Sequence, residues 1–481
     1  MWHNQTLFRV SAQLAAEGIF SGLDKNLKPE VSITAFSQTG KKGNYTLVVN
    51  PAEVDLNFEH FSSFFFQVAK FEKEEAERYK DGHLSDNERH LRVLQQQELR
   101  DNLRHLLNAL NLEKNNNRLS FCTCPVWVND MLVFVGLHFD REAFAGHYTL
   151  PLVERQTHIP AVSFLDATVT EFLNDCVKAL HETEFASGKS ILERDYSEVL
   201  RAAGKRFMYT PAGSSHGLFD ACNAISALKY EGSEGVGAML LAKRNYPEIY
   251  RLLTLDKPVP LRDYRSVRKL LELAEGNIRL LSDAVNVYGL GSLKPGHDFS
   301  KAEVFMVNFT KHYTWEFVHA GHVMMKVAYG VPNLPKGQLD EQKFRRDLLL
   351  TFPALPEENI QKLWLLMYEV TKLRHGTIIV ISEGAEQEAK RLDNQSFKVA
   401  PMAMAPSFIR QLTQIDGAML LDTNSYCHAI GLILDGLASE HGDAARGARY
   451  NSAIRYVETS SHNCLAVVVS EDGLINLIRK P

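Results

Sequence analysis

The last third of the sequence consists of short apolar runs separated by turn residues and helical segments. The apolar runs lie at 375–382, 419–422, 429–434, 464–469 and 474–478, and helical patterns lie at 386–392, 408–412 and from 448 onward. Apolar runs of this length between Gly, Asp and Asn are typical of buried strands. The runs at 419–422 and 429–434 are close enough to pair as a hairpin. The pattern predicts an α/β unit over 341–481.

Two further regions precede this unit, since 481 residues are too many for one ordinary core. Residues 1–190 mix strand-like runs with amphipathic helical patterns between 61 and 112, which is typical of an α/β or α+β region, and no motif there indicates a role. Residues 191–335 contain a predicted strand at 236–241 and a predicted helix at 264–273. Pro332, Pro335 and Gly337 mark the boundary before 341–481.

Composition and charge exclude several classes of protein. Hydrophobic residues make up 45% and charged residues 23%, with a net charge of −5, so a broadly basic nucleic-acid surface is not expected. Six scattered cysteines suit free thiols in a reducing compartment. The N-terminus lacks a basic start followed by an apolar block, and no apolar run is long enough to span a bilayer. We therefore expect a cytoplasmic protein without a membrane partner.

Three features of the C-terminal unit suggest phosphate chemistry. Asp416 stands at the start of a predicted strand beside Gly417, where a carboxylate can hold Mg²⁺ or Mn²⁺ and a ligand can approach the backbone. Arg449 falls at a predicted helix start, where backbone N–H groups also favour an anion. Glu471 lies in a turn between strands and offers a second carboxylate. Taken singly, each feature is also ordinary: Asp-Gly is first of all a turn dipeptide, and Gly-x-Arg occurs at many helix starts.

The order and spacing of these features resemble the diadenylate cyclase (DAC) domain family. The resemblance covers about 364–480 and rests on the strand 375–382, then Asp-Gly-Ala at 416–418, a hairpin, Gly-x-Arg at 447–449, and Val-Val-Val-Ser-Glu-x-Gly at 467–473. It implies a mixed sheet with flanking helices that binds one ATP. It also implies that two such domains meet face to face, each 3′-hydroxyl attacking the α-phosphate of the other ATP, to give cyclic di-AMP and pyrophosphate with Mg²⁺ or Mn²⁺. A homo-oligomer in second-messenger signalling is then expected.

The resemblance assigns roles by position. Asp416 would bind the metal and help activate the hydroxyl, Arg449 would hold phosphates, and Glu471 completes the expected catalytic set. The expected nucleotide-binding residues are Gly417, Ala418, Leu432, Leu434, Gly447, Tyr450, Asn451, Ser452, Arg455 and Ser470. Leu432 and Leu434 would line the adenine pocket.

One departure from the family motif leaves an alternative open. Where the family has Arg-His-Arg, this chain has Arg449-Tyr450-Asn451, which removes a phosphate-binding guanidinium and a histidine. Arg455 stands where it could replace the lost charge. Losing a charge-assisted phosphate contact costs a few kcal/mol of transition-state stabilisation. The alternative to a cyclase is therefore a non-catalytic sensor that binds a nucleotide second messenger through the same pocket.

The region 191–335 repeats the order of elements seen later. The stretches 234–241, 264–271 and 280–291 parallel 375–380, 407–412 and 420–432, and Glu275-Gly276-Asn277 stands in place of Asp416-Gly417-Ala418. One interpretation is a degenerate DAC-like domain that has lost the metal aspartate. The other is a coincidental similarity between two hairpins.

Three histidines of the same region raise the question of a metal. His319 and His322 lie three residues apart on a predicted helix, with His312 and Glu316 nearby. Histidines with ordinary hydrogen bonds in a core or on a surface are the more frequent case. The pair Cys122 and Cys124 has the same alternative, and we predict a metal at neither place.

Overall fold

The computed structural model describes residues 5–38, 45–51, 61–78, 85–151, 161–181, 194–209, 217–229, 236–297, 303–335, 339, 341–370, 376–436, 447–470 and 475–480. The chain divides into two compact units, Met1–Leu334 and Pro335–Pro481. The fold is mixed α/β, as the sequence predicts, and the described residues form three sheets. Among the described residues, no helix is both long enough and apolar enough to cross a membrane.

The first sheet is antiparallel, with strand order β2–β1–β5–β3 and β4 paired to β5. Its strands are β1 (Glu30–Gln38), β2 (Tyr45–Asn50), β3 (Arg118–Cys122), β4 (Val126–Val128) and β5 (Met131–Asp140). The helices of this region are α1 (Gln5–Ala16), α2 (Ser62–Arg78), α3 (Asp86–Glu113), α4 (Arg141–Ala145) and α5 (Phe164–His181). Because side chains alternate along a strand, β5 buries Val133 and Val135 in one core and Leu132 and Phe134 in another.

Helix α3 confirms the predicted amphipathic pattern between 61 and 112. It begins at a capping box, in which Ser85 Oγ accepts from the Glu88 N–H and the Glu88 carboxylate accepts from the Ser85 N–H. Leu99, Leu103 and Leu107 recur at helical spacing and are buried in the core that also contains α2 and β5.

The middle sheet has eight strands in the order β13–β12–β11–β10–β6–β8–β9–β7. They are β6 (Gly237–Leu241), β7 (Ile249–Pro260), β8 (Arg279–Ser282), β9 (Asn286–Leu293), β10 (Phe305–Lys311), β11 (Thr314–His319), β12 (His322–Ala328) and β13 (Val331–Asn333). Helices α6 (Tyr196–Phe207), α7 (Leu218–Ala227) and α8 (Tyr264–Leu271) contribute to one continuous core with the first sheet.

The C-terminal sheet has six strands in the order β15–β17–β16–β14–β18–β19. They are β14 (Thr377–Ser382), β15 (Phe397–Ala403), β16 (Ala418–Leu421), β17 (Tyr426–Leu432), β18 (Cys464–Val469) and β19 (Ile475–Arg479). The helices are α9 (Glu341–Thr351), α10 (Glu357–Val370), α11 (Ala385–Arg391), α12 (Pro406–Leu412) and α13 (Ala448–Thr459). One face of the sheet packs with α9 and α10, and the other with α11 and α13.

The six strands β6–β11 follow the same order as β14–β19. In each set the first and third strands pair in parallel, β6 with β8 and β14 with β16. The other pairs are antiparallel in both sets. In the middle sheet they are β8–β9, β9–β7, β6–β10 and β10–β11, and in the C-terminal sheet they are β16–β17, β17–β15, β14–β18 and β18–β19. A helix, α8 or α12, joins the second strand to the third. The two sheets therefore share the connectivity and pairing of six strands, whereas the sequence pattern parallels only three stretches of each.

One irregularity is shared by the two sheets. Tyr288 in β9 and His428 in β17 each bulge between the same pairs of neighbouring strands, and both are buried. Each edge strand, β7 and β15, loops out opposite this bulge, and Pro258 or Pro401 directly precedes the residue that rejoins the ladder. Bulges are specific features of a fold, so their shared positions add to the shared strand order.

The histidine prediction in the middle region was wrong about secondary structure. His319 ends β11 and His322 begins β12, and the two face each other across a tight turn rather than along a helix. His319 Nδ1 lies 2.9 Å from the Tyr148 hydroxyl, and the Tyr148 ring stacks on His322. Alternating apolar residues in β10 and β11 were the missed strand signal.

Candidate functional site

Asp416 lies in the segment between α12 and β16, at the start of the parallel pair of strands. Its carboxylate is 95% exposed. The next residue, Gly417, has φ +108°, and a Cβ placed on it would lie 2.6 Å from the carbonyl carbon of Gly431 in β17. Only glycine fits both the backbone angle and this approach. The close passage of β17 therefore fixes the backbone that carries Asp416.

Arg449 extends from the first turn of α13 back over the start of β14. A Cβ on Gly376 would lie 2.8 Å from Nη1 of Arg449, so the small residue leaves room for the guanidinium. Nη2 of Arg449 lies 3.6 Å from Oδ1 of Asp416. The structure thus brings together the two side chains on which the sequence prediction depends. Because both are in contact with solvent, water and salt screen their attraction, and a ligand can compete for either charge.

The other predicted residues around α13 are placed differently. Gly447 precedes the helix, and Tyr450 packs partly buried against the core that contains Ala418. Asn451 accepts a hydrogen bond through its carbonyl from Nε of Arg455, whose Nη2 lies 3.5 Å from the Ser452 hydroxyl. The Arg455 guanidinium therefore turns back along its own helix, and the predicted replacement of the lost charge stays a prediction.

Leu432 and Leu434, the residues predicted to line the adenine pocket, pack against the core of the domain. Leu432 is buried with Ala418, and Leu434 is partly buried against the same cluster, so their contact with a base stays a prediction. The exposed apolar side chains nearby are Phe397, Ile415 and Ile433. A Cβ on Gly431 would lie 3.1 Å from Cγ2 of Ile415 and 3.3 Å from Cδ2 of Phe397, so these groups surround that glycine. Ile433 directly follows β17, and the alternation of the predicted run 429–434 could have indicated it as outward-facing.

Two predicted residues lie at the end of β18. Ser470 directly follows the strand and is partly buried, and Glu471 lies outside the described residues. The described ranges contain no group of three or more His, Cys, Asp or Glu side chains that could hold a metal ion. The exposed Asp416 carboxylate nonetheless fits Mg²⁺, which proteins often hold through one or two carboxylates and substrate phosphates rather than a closed cage.

Comparisons with known families assign the C-terminal unit. The profile described as DisA bacterial checkpoint controller nucleotide-binding (DAC) matches residues 367–481, which include all six strands β14–β19 together with Asp416 and Arg449. The C-terminal unit is a DAC domain. The DAC domain is related to diadenylate cyclases, as the spacing of its motifs predicts. The profile described as probable sensor domain DACNG matches residues 1–208, and the one described as probable sensor domain DACNH matches 216–321.

Solved structures give weaker likenesses. A crystal structure of DacA from Staphylococcus aureus, a double mutant, is 22% identical over 26% of this chain and 87% of its own, with a TM-score of 0.22. A hypothetical membrane spanning protein from Bacillus cereus is 18% identical over 29% of this chain and 71% of its own, also with a TM-score of 0.22. The search of curated proteins found no match.

Proposed function

We propose that the DAC domain condenses two ATP molecules into cyclic di-AMP with release of two pyrophosphates. The observation that supports this most directly is the 3.6 Å approach of the Arg449 guanidinium to the Asp416 carboxylate at the start of the parallel strand pair. Each domain would bind one ATP, and two domains from two chains would face each other so that both 3′-hydroxyls are in line with the opposite α-phosphates.

The two side chains would divide the work of phosphoryl transfer. Arg449 would bind phosphate oxygens, helped by the backbone N–H groups of the first turn of α13. Asp416 would hold Mg²⁺ or Mn²⁺ and orient the attacking hydroxyl. Divalent metals, which DAC enzymes use, supply positive charge against the phosphates and lower the pKa of a bound hydroxyl. Positioning and charge stabilisation of this kind account for most of the catalysis in phosphoryl transfer.

The base would lie against the exposed apolar group near Gly431. Phe397, Ile415 and Ile433 are 67%, 39% and 64% exposed, and Ile415 directly precedes Asp416, so apolar surface is available beside the charged site. Burial of such surface by a planar base is favourable, because it removes apolar area from water. The predicted contacts of Leu432 and Leu434 would then be made through their backbone.

One observation favours the alternative of a nucleotide sensor. The family's second arginine is absent, and the Arg455 guanidinium contacts the Asn451 carbonyl on its own helix. A site with one guanidinium can bind a nucleotide yet provide too little charge stabilisation for turnover.

The experiment that separates the two functions uses the full chain with ATP and Mn²⁺. We expect pyrophosphate release and a cyclic dinucleotide, and we expect Asp416→Asn to abolish product while ATP binding remains. Asp393→Asn, an exposed aspartate of the same domain, is the matched control and should leave turnover unchanged. Tight ATP binding by the wild type with no product would establish the sensor and reject the cyclase.

We also propose the roles of the regions upstream. The match of 1–208 and 216–321 to probable sensor domains supports a regulatory role for both. The repeated strand order and bulges support the interpretation of the middle region as a degenerate DAC-like domain. Asp283 and Asp422 directly follow the third strand of each set and accept backbone hydrogen bonds in the turn after it. Counting back six residues from each aligns Asn277 with Asp416, whereas the sequence pattern aligns Glu275 with Asp416. The middle copy would then lack the metal carboxylate.

A further inference from the structure

Helix α13 carries Arg449, so anything that sets the rotation of this helix sets the position of that guanidinium. Tyr456 follows Arg449 by seven residues, which is close to two full turns, and therefore lies on the same side of the helix. Tyr456 is 1% exposed, and its hydroxyl donates a hydrogen bond of 2.9 Å to Oε2 of Glu388 on α11. The inner face of α13 is thus tied to α11 at the end opposite Arg449.

Glu388 is a buried carboxylate with a second strong partner. Arg391 donates to it from Nε at 3.1 Å and from Nη2 at 2.8 Å. A buried charge is tolerated only when its partners compensate the loss of water. Burial and the neighbouring Glu388 carboxylate raise the pKa of Tyr456, which keeps its hydroxyl protonated and donating. In the contact between α11 and α13, Tyr456 is therefore always the donor and Glu388 the acceptor.

Arg391 extends the connection to the segment that leaves β17. Its Nη1 and Nη2 donate to the two oxygens of Asp435 at 2.5 and 2.9 Å, and this bidentate geometry is specific. The next residue, Gly436, passes so close to α13 that a Cβ on it would lie 2.7 Å from the backbone carbonyl of Arg455. The segment after β17 is therefore held between α11 and α13.

The middle sheet shows that the six-strand fold does not need these helices. Its connection from β6 to β7 runs through 242–248 without a helix, and the described parts of the connection from β9 to β10 contain none either. Helices α11 and α13 therefore belong to the sheet that has Asp416 and Arg449. The hydrogen bonds of Tyr456, Glu388, Arg391 and Asp435 are associated with that site and are not required by the six-strand fold.

We propose that Tyr456, Glu388, Arg391 and Asp435 form a positioning network that holds Arg449 against the nucleotide phosphates. The network touches no substrate. It acts by fixing α13 at one end while Arg449 reaches Asp416 from the other, about 10 Å along the helix axis. The proposal rests on the proposed nucleotide site, and a displacement of about 1 Å at such a group is enough to impair phosphoryl transfer.

A double-mutant cycle on the full chain tests the network. Tyr456→Phe removes only the hydroxyl, and we expect about tenfold weaker ATP binding and a lower kcat, with cooperative unfolding retained. In the Arg449→Ala background the same substitution should have almost no further effect on ATP affinity, because the group being positioned is gone. Asp435→Asn should behave like Tyr456→Phe, and Tyr426→Phe, a half-exposed tyrosine of the same domain, is the control.

The outcomes separate this proposal from the cyclase itself. Equal losses of affinity from Tyr456→Phe with and without Arg449 would mean a general structural role and overturn the network. A wild type that binds ATP without turnover would reject the cyclase, while the cycle could still be read from affinities. A wild type that binds no ATP would overturn both.

Discussion

Gly417 shows how a single residue without a side chain shapes the candidate site. Its φ is +108°, and a Cβ placed on it would lie only 2.6 Å from the carbonyl carbon of Gly431. We expect Gly417→Ala to destabilise the DAC domain by about 1–3 kcal/mol, since backbone strain and a backbone contact both oppose it. Urea unfolding with a probe in the DAC domain measures this. Gly447→Ala is the matched control, because a Cβ there meets nothing within 4 Å; equal effects of the two substitutions would contradict the argument.

Because His138 is buried in the first sheet, we expect the stability of the folded protein to depend on pH. Its ring nitrogens lie 2.8 Å from the hydroxyls of Ser32 and Ser120. Burial, and then the nearby Arg118, lower the pKa of His138 from 6.5 to about 3. The unfolded chain takes up a proton below about pH 6.5 that the folded chain refuses until about pH 3, so folded stability falls as the pH drops through that window.

The expected loss from this one group has an upper limit of about 1.4 kcal/mol per pH unit. His138→Asn keeps polar atoms between the two serines but removes the titration. Chemical unfolding between pH 7 and pH 4 should therefore give a shallower decline for the variant than for the wild type. Parallel declines would show that another group controls acid stability.

At the scale of elements, the turns that end β8 and β16 are built alike. Oδ1 of Asp283 accepts from the N–H groups of Val285 and Asn286, and Oδ1 of Asp422 accepts from those of Asn424 and Tyr426. Each carboxylate thus closes its hairpin by replacing backbone partners.

Removing either carboxylate should destabilise its own sheet to a similar degree. We expect Asp283→Ala and Asp422→Ala each to cost about 1–2 kcal/mol, because two backbone N–H groups lose their acceptor in both cases. Hydrogen exchange measured by peptide would locate the loss, in β8–β9 for the first variant and in β16–β17 for the second. Asp393→Ala, at an exposed position, is the control. A loss for Asp422 alone would weaken the likeness between the two sheets.

At the scale of the whole molecule, the number of ATP molecules bound per chain can be predicted. Two sheets share a strand order, but only the C-terminal one is proposed to have the Asp416 carboxylate. In the proposed alignment Asn277 of the middle region corresponds to Asp416, and the described residues of that region contain no helix corresponding to α13. We therefore expect one ATP bound per chain in isothermal titration, and none in a double variant Asp416→Ala, Arg449→Ala. Two ATP per chain, or binding that survives the double variant, would show that the middle sheet has a nucleotide site of its own.

The sequence predicted secondary structure well where the pattern lies within a single helix, strand or hairpin. The helices at 385–391 and 406–412, the strand at 377–382 and the hairpin of β16 and β17 lie close to their predicted positions. The prediction failed at His319 and His322, where a three-residue spacing suggested a helix although a tight turn joins two strands. Spacing alone does not distinguish these cases, because a turn of two residues brings the same side chains together.

The sequence by itself determined most of the order of strands and helices in the C-terminal unit, although not β15. It also determined the DAC resemblance and the choice of Asp416 and Arg449, since these depend on local patterns and motif spacing. The tertiary structure decided which side chains meet. The approach of Arg449 to Asp416, the return of Arg455 along its own helix, and the pairing of Arg391 with Asp435 join residues of different elements. Strand register and helix rotation set those distances, and both depend on packing across the whole sheet.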